Sequence, residues 1–348
     1  MRIHLPAPVP HRDPNPDWEP CAFTGKAWRL ARMLVDLGHT VFVYGGPDVD
    51  CLGADTVEVI SAADRARWFG PDPADILDRW NTGDPCWAET NAATIAAIAE
   101  RIEPYDIVGI TAGTCQQPIA DAFPNHVRAE VGIGYEAPML STHWCVESEA
   151  WRHYLYGRYG VTDGRWYDTV IPNAYDPTGY LFSARKEPFL LYMGRMTARK
   201  GLGVVADLAK DHFVVTAGPG DERVPGATHA GVVTGREKAE LLASATALVA
   251  PSIYVEPFGG VAIEAMLSGT PVLASPFGAF TETVTQGVTG WRCHTLAEFH
   301  RAAGLASELD PKTIRDHTAE RYSLDAVAPR YSWWLDRLAG LYGAGWYG

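Results

Sequence analysis

Short apolar strands alternate with helices along this 348-residue chain, and this alternation limits the possible folds more than any other feature. A strand over residues 1–5 is followed by a proline-rich loop and an amphipathic helix over residues 25–37. Gly38 caps that helix, and a second strand follows at residues 40–44. The order strand, loop, helix, strand is a βαβ unit. It predicts an α/β fold built on a parallel sheet.

A second series of the same kind begins at Pro188. Its strands are predicted at residues 189–192, 213–217, 247–250 and 271–274, with helices between them. A chain of 348 residues exceeds what one hydrophobic core usually supports, so we expect two domains. The stretch 173–186, rich in Pro, Gly and charge, is the predicted hinge.

Composition excludes several classes of protein. No apolar run is long enough to span a bilayer, and the N-terminus lacks the apolar core of a signal peptide, so we expect a cytoplasmic protein without integral membrane association. The six cysteines have no metal-binding spacing and are expected to be reduced. The formal charge of −13 disfavours non-specific binding to nucleic acid or anionic lipid.

The stretch Tyr254-Val-Glu-Pro-Phe-Gly-Gly-Val-Ala-Ile-Glu-Ala-Met266 carries the strongest functional signal. Its glycines allow main-chain N–H groups to approach a ligand, and the start of a helix adds the positive end of a dipole. Glu264 is expected one turn inside that helix, where it can accept hydrogen bonds from a sugar diol. Glu256 is expected in the loop, facing the bound group. The pattern predicts a ligand that carries a diphosphate.

These residues resemble the retaining, nucleotide-sugar-dependent glycosyltransferases of family four, which have the GT-B fold. The segment 134–157, which is dense in polar aromatic residues, resembles a subgroup of these enzymes encoded by phages and bacteria. Further matches are Phe189-Leu-Leu-Tyr-Met-Gly-Arg-Met-Thr-Ala-Arg-Lys-Gly201, Val170-Ile-Pro-Asn173, Ala217-Gly-Pro-Gly220 and Gly269-Thr-Pro-Val-Leu-Ala274. The resemblance is strong from about residue 170 to residue 293 and weak before that.

The resemblance implies two Rossmann-like, doubly wound domains that face each other across a cleft. The acceptor domain would comprise residues 1–172, and the donor domain residues 173–325. A C-terminal helix within residues 326–348 would cross back to the first domain. The same likeness leaves open whether the protein is a monomer or a homodimer.

In such a fold, Arg195 and Lys200 would clamp the diphosphate, and Glu256 would orient the transferred sugar. These three are the predicted catalytic residues, although a lone Arg/Lys pair on a loop is more often two surface cations. Glu264 would bind the ribose hydroxyls. The remaining predicted donor-site residues supply close backbone approaches or N–H groups: Gly25, Gly194, Gly218, Phe258, Gly259, Gly260 and Val261.

The implied reaction transfers a hexose, with UDP-glucose the leading donor, to an acceptor hydroxyl with retention at the anomeric carbon. The acceptor alternatives are a hydroxymethylated DNA base, a protein, a glycan or a small molecule. Where several relatives have a cleft histidine, this chain offers threonines. The candidate acceptor contacts are Thr111, Thr114, Glu136, His143 and His153.

Three cations on the first helix, Lys26, Arg29 and Arg32, are interpreted as a solvated face. Asp48-Val-Asp50 imitates a metal-binding motif of another glycosyltransferase fold but is interpreted as a turn, so neither metal nor cofactor is expected. Two alternatives remain open. One is a non-catalytic protein that binds nucleotide sugars. The other is a different enzyme on the same fold, such as a nucleotide-sugar epimerase or a glycan phosphorylase.

Overall fold

A computed structural model describes residues 1–16, 22–70 and 83–342, which fall into two compact units. The first unit comprises Met1–Glu147, Asp163–Ala174 and Val327–Gly348, and the second comprises Ser148–Thr162 and Tyr175–Ala326. The boundary proposed at residues 172/173 remains a prediction. That prediction placed the segment Ser148–Thr162 in the first domain, whereas in the structure it groups with the second unit.

The first unit is built on a seven-stranded parallel sheet in the order β3-β2-β1-β4-β5-β6-β7. Its elements in chain order are β1 (Arg2–Pro6), α1 (Ala22–Asp36), β2 (Thr40–Gly45), β3 (Asp55–Glu58), α2 (Ala62–Phe69), α3 (Pro85–Ala99), β4 (Ile107–Ile110), α4 (Gln117–Ala122), β5 (Val127–Ile133), β6 (His143–Val146) and β7 (Thr169–Val170).

The second unit is built on a six-stranded parallel sheet in the order β10-β9-β8-β11-β12-β13. Its elements in chain order are α5 (Glu149–Arg158), β8 (Glu187–Met193), α6 (Leu202–Leu208), β9 (Val214–Ala217), β10 (Thr228–His229), α7 (Gly235–Ser244), β11 (Ala245–Ala250), α8 (Gly260–Leu267), β12 (Val272–Ala274), α9 (Phe280–Thr283), β13 (Gly290–Arg292), α10 (Leu296–Leu305) and α11 (Pro311–Tyr322). A last helix, α12 (Leu324–Ala339), begins in this unit, and its residues from Val327 onward group with the first.

Both sheets confirm the predicted Rossmann-like α/β class. Each has a point where the strand order reverses, between β1 and β4 in the first unit and between β8 and β11 in the second. Open α/β sheets bind their ligands beyond the carboxyl ends of the strands at such a point. Leu191 and Leu248 lie side by side on β8 and β11 and are fully buried. The second switch point therefore stands on a rigid core.

The predicted strands are present, including the short β9 and β12, which were predicted at residues 213–217 and 271–274, whereas the two-residue strands were missed. The predicted strands 1–5, 40–44, 189–192 and 247–250 correspond to β1, β2, β8 and β11. Helix α3 spans Pro85–Ala99, with Pro85 in its first turn. The strands β7 and β10 have two residues each, too few for a recognisable pattern.

The structure bears on two expectations from composition, reduced cysteines and the lack of a membrane-spanning segment, only for the residues that it describes. Cys51, Cys86, Cys115, Cys145 and Cys293 are free thiols, whereas Cys21 lies outside the described residues. Across the described ranges, every helix is too short or too polar to cross a bilayer.

A buried carboxyl in the first unit organises the loop that follows β5. Glu130 accepts hydrogen bonds from the Tyr135 hydroxyl at 2.7 Å, the Met139 N–H at 3.0 Å and the Thr142 hydroxyl at 2.7 Å. Burial raises the pKa of Glu130 to about 7, against the opposing effect of these donors. The carboxyl therefore holds its proton more tightly in the folded chain than in the unfolded one.

This difference predicts a pH-dependent stability. The stabilisation from Glu130 is complete below pH 4.5 and is lost as pH rises through about 7. In the wild type, the titration of Glu130 should lower the free energy of unfolding by up to about 3 kcal/mol between pH 5 and pH 8. We expect Glu130→Gln to abolish this decrease, because glutamine does not titrate. Denaturant unfolding at a series of pH values checks this. Parallel profiles for the variant and the wild type would contradict it.

Candidate functional site

Three loops meet at the carboxyl edge of the second sheet. They follow β8, β9 and β11, the strands at and beside the switch point. The N–H of Met196 donates to the carbonyl of Pro219 at 2.7 Å, and the N–H of Ile253 donates to the carbonyl of Arg199 at 2.9 Å. A Cβ placed on Gly201 would lie 2.0 Å from the Pro251 carbonyl oxygen. The loops pack at backbone contact, which only glycine permits at that position.

Lys200 and Glu256 form an ion pair across two of these loops. The Nζ of Lys200 donates to Oε2 of Glu256 at 2.8 Å, and the two side chains are 21% and 10% exposed. The hydroxyls of Ser252 and Tyr254 also donate to the Glu256 carboxylate, at 2.8 and 2.9 Å. The structure therefore brings together two of the three predicted catalytic residues and holds the carboxylate in one orientation. Sequence reasoning gave no role to Ser252 or Tyr254, although both lie within five residues of Glu256.

Arg195 lies on the same edge with an exposed side chain. The Tyr192 hydroxyl fixes its backbone by donating to the Arg195 carbonyl at 2.7 Å. Burial and the Glu256 carboxylate raise the pKa of Tyr254, while the charge of Arg195 acts in the opposite direction. The positive charge of Arg195 therefore extends to the surroundings of the Lys200–Glu256 pair, where it could help to bind a diphosphate.

The glycines after β8 and β9 bring their loops into contact. Gly194 and Gly218 have φ values of +158° and +136°, and a Cβ on Gly218 would lie 2.0 Å from the Gly194 carbonyl oxygen. Both predicted glycines thus allow the loops after β8 and β9 to pack closely against each other.

Helix α8 presents its amino end at the same edge. Within the described residues, the N–H groups of Phe258, Gly259, Gly260 and Val261 have no hydrogen-bond acceptor. Gly259 caps the helix with φ of +77°, and a Cβ there would strike the Phe280 ring at 2.6 Å. Four N–H groups with no acceptor among the described residues and the positive end of the helix dipole therefore lie together at the start of α8.

Two aromatic rings hold the start of this helix in place. Phe258 is 3% exposed, stacks on Tyr175 at 6.4 Å and meets Tyr322 edge-on at 5.9 Å. The Phe258 side chain is thus a core anchor, and only its backbone faces the edge.

Glu264 lies on α8 as predicted, but it has a partner that the sequence did not indicate. The Nζ of Lys238, on α7, lies 3.2 Å from Oε2 of Glu264, and both side chains are about one-fifth exposed. The Glu264 carboxylate is half-buried and held by a neighbouring cation. Its second oxygen remains available to accept hydrogen bonds from a diol.

Helix α5 is held by one contact with the loop after β11 and one with helix α9. Ser148 caps the helix by accepting from the Trp151 N–H at 3.1 Å, and its hydroxyl donates to the Pro257 carbonyl at 2.7 Å. The Glu282 carboxylate accepts from the N–H groups of Glu149 and Ala150, each at 2.9 Å. Both contacts join chain segments far apart in sequence, so neither was predicted.

We expect Ser148→Ala to weaken binding of a nucleotide diphosphate, because the variant frees the carbonyl of Pro257 beside the α8 donors. It should also lose about 1 kcal/mol of stability with the cap. Ser61 is the matched control, since it caps α2 in the first unit by accepting from the Asp64 N–H at 3.1 Å. If Ser61→Ala and Ser148→Ala weaken UDP binding equally in calorimetry, the positioning role is wrong.

In the first unit, the predicted glycine loop is part of a helix. Gly25 lies in the first turn of α1, which begins at Ala22. The neighbouring Lys26 is not a solvated cation. Its Nζ pairs with the Glu147 carboxylate, and the two side chains are 14% and 6% exposed. Gly132 leaves room for the Lys26 stem, because a Cβ there would lie 2.8 Å from Cδ of Lys26.

Four of the five candidate acceptor residues lie in the first unit, and they are not brought together there. Thr111 is buried, and its hydroxyl donates to the Pro6 carbonyl at 2.9 Å, a hydrogen bond between the ends of β4 and β1. Thr114 and Glu136 are exposed beyond the carboxyl ends of β4 and β5. His143 is the first residue of β6 and therefore lies at the opposite, amino edge of the sheet. His153 lies exposed on α5, in the second unit.

The Asp48-Val-Asp50 turn fits the interpretation given to it. The side chain of Asp48 is 74% exposed and lies 3.4 Å from Arg65. In the described part of the chain, no three His, Cys, Asp or Glu side chains cluster as a metal site would require. The absence of a cofactor remains a prediction.

The residues at this edge of the second sheet fall within a range of the chain that matches a known protein family. Residues 187–309 match the family described as glycosyl transferases group 1. That range contains all the predicted donor-site residues except Gly25.

Similar proteins extend this result. A glycogen synthase of Mycobacterium tuberculosis is 36% identical over 188 residues, 47% of this chain and 45% of that protein. The chain spans about half the length of the curated relatives that it matches.

Two solved structures share the fold over nearly the whole chain. The sucrose-phosphate synthase of Thermosynechococcus elongatus has a TM-score of 0.71 and 19% identity, covering 97% of this chain and 99% of that one. Anabaena HepE, solved with UDP and glucose, has a TM-score of 0.66 and 14% identity, with 97% and 99% covered. The predicted GT-B fold class is confirmed.

Proposed function

We propose that this protein is a glycosyltransferase that transfers a hexose from a nucleotide-diphosphate donor, with UDP-glucose as the leading donor, to an acceptor hydroxyl. The observation that carries the proposal is the second switch point. There a buried carboxylate, a lysine, an arginine and four N–H groups that have no acceptor in the described part of the chain lie on one sheet edge. Cations and helix-terminal N–H groups are the protein groups that bind phosphates.

The donor would be held by its two charged parts. Arg195, Lys200 and the amino end of α8 would contact the diphosphate. Glu264 would accept hydrogen bonds from the ribose, and Glu256 would accept them from the sugar. The complex of HepE with UDP and glucose supports this class of donor by analogy of fold.

The chemistry proposed is retention of the anomeric configuration by a front-face route. The bond between the anomeric carbon and the leaving phosphate oxygen breaks, and the acceptor oxygen bonds to the same face. The acceptor proton passes to the leaving phosphate. Negative charge grows on that phosphate as the bond breaks, so fixed cations and N–H groups there lower the barrier. Glu256 is committed to three donors from the protein, so we assign it to orienting the sugar rather than to nucleophilic attack.

Incubation with radiolabelled UDP-glucose tests the proposal. Most transferases hydrolyse their donor slowly when no acceptor is supplied, so we expect free glucose and UDP to accumulate. Product anomers read by NMR would distinguish retention from inversion. Binding of UDP-glucose with no turnover, alone or with a panel of hydroxyl acceptors, would leave the alternative of a non-catalytic nucleotide-sugar-binding protein.

A further inference from the structure

The first unit has an open cavity of about 970 Å³ that the proposed reaction does not use. It is formed by the segments that precede β5, β6 and β7, together with Leu341. Those segments lie at the amino edge of the first sheet, whereas α/β sheets bind their substrates at the carboxyl edge. The cavity is therefore separate from any site built on the carboxyl ends of these strands.

The cavity is lined by basic groups. Arg128, on β5, is half-buried, and its side chain has no hydrogen bond or ion pair with any described residue. His143 likewise has no hydrogen-bond partner for its ring among the described residues. Arg165 is held in place by Asp168, 2.9 Å from its Nε, and by the Trp144 ring, 4.2 Å below its guanidinium. No lining residue is acidic. Arg128 therefore places a positive charge with no ion-pair partner among the described residues in this cavity, on a chain whose formal charge is −13.

Aromatic residues stand beside these cations. Trp166 lines the cavity with 71% of its surface exposed, and Leu140 is 55% exposed on the facing segment. Large apolar side chains so exposed at the mouth of a cavity are typical of binding sites. An indole face can stack on a sugar or an aromatic ring.

The backbone between these groups is strained. Tyr167 has φ of +68°, a conformation that costs a bulky residue free energy and persists where the surroundings impose it. The Trp334 indole holds the Tyr167 carbonyl by donating to it at 2.6 Å. The Tyr167 ring meets His143 edge-on at 5.8 Å. Such strain is concentrated at functional sites.

We propose that this amino-edge cavity is a second binding site, for a small compound in which one phosphate is attached to a sugar or aromatic ring. The phosphate would pair with Arg128, and the ring would stack on Trp166. Burial lowers the pKa of His143 to about 4, so its imidazole stays neutral and can donate one hydrogen bond without adding charge. Two guanidinium groups suit a single phosphate and are too few for a polyanion.

NMR of protein labelled with ¹⁵N in its tryptophans tests the site. Trp166→Phe assigns the indole signal, and Trp333, which is 54% exposed and does not line the cavity, is the internal control. Saturating UDP is present throughout, so the donor site is occupied and its failure would not affect the result. The probes are glucose 1-phosphate and phenyl phosphate, with glucose and inorganic phosphate for comparison.

We expect one or both phosphorylated rings to shift the Trp166 signal, with half-saturation near 1 mM, and to bind at least about tenfold more tightly than glucose. Arg128→Gln should weaken that binding about tenfold, while Arg32→Gln, on α1, should leave it unchanged. Tighter binding of glucose 1-phosphate would indicate a site for a sugar ring, and tighter binding of phenyl phosphate a site for an aromatic ring. The proposal is overturned if the Trp166 signal stays fixed with both probes, or if it shifts equally in the Arg128→Gln variant.

Discussion

Replacing Lys200 by methionine is expected to lower turnover at saturating donor by at least about 100-fold, because the variant removes a cation that would stabilise the departing diphosphate. It should also destabilise the second unit by about 3 kcal/mol, since the Glu256 carboxylate, only 10% exposed, would lose its partner. Steady-state kinetics and denaturant unfolding measure the two effects separately.

The neighbouring Arg199 provides the matched control. Its guanidinium lies 4.9 Å from the centre of the Tyr254 ring, as the Lys200 ammonium does at 5.1 Å, but the Glu256 ion pair is made by Lys200. Arg199→Met should change turnover less than about threefold. The double variant Lys200→Met/Glu256→Gln should regain stability without regaining turnover. If it regains both, the lysine has a structural role alone.

Gly218→Ala is expected to cost about 3 kcal/mol or more of unfolding free energy. At φ of +136° an added Cβ is strained, and it would lie 2.0 Å from the Gly194 carbonyl oxygen, which is backbone and cannot turn aside. The loops after β8 and β9 would have to separate. Because the first of these loops carries Arg195, donor binding should fall together with stability.

Gly203→Ala is the control for this substitution. Gly203 lies in α6, and a Cβ there meets nothing within 4 Å. The change should raise the free energy of unfolding by a few tenths to about 1 kcal/mol, as alanine favours a helix. Thermal unfolding of the two variants gives the comparison. Equal stability of the two would show that the contact between the loops is not tight.

The positions of Arg195, Lys200 and Glu256 on the second sheet could be predicted from the sequence, because each lies a few residues after a recognisable strand. Arg195 and Lys200 follow one strand, and Glu256 follows another that pairs with it in the sheet. Parallel pairing then brings the two strand ends together without further information. The ion pair itself was not predicted, because the separate functional roles assigned to Lys200 and Glu256 gave no reason to join them.

The first unit was harder to predict, because its important contacts are long-range. Lys26 and Glu147 are 121 residues apart, and nothing near either residue indicates a buried pair. His143 was considered for the acceptor because aromatic residues surround it in sequence, yet its place at the start of β6 puts it on the opposite edge. A strand as short as β6 gives too little pattern for its direction and ends to be assigned.

Calorimetric titration with UDP and UMP tests the central claim, that the loops after β8 and β11 and the amino end of α8 bind a nucleotide diphosphate. We predict a one-to-one complex with UDP, at least about tenfold weaker binding of UMP, and a loss of that preference in Lys200→Met. Equal affinity for UDP and UMP in the wild type, or no binding heat for UDP at two temperatures, would contradict the account.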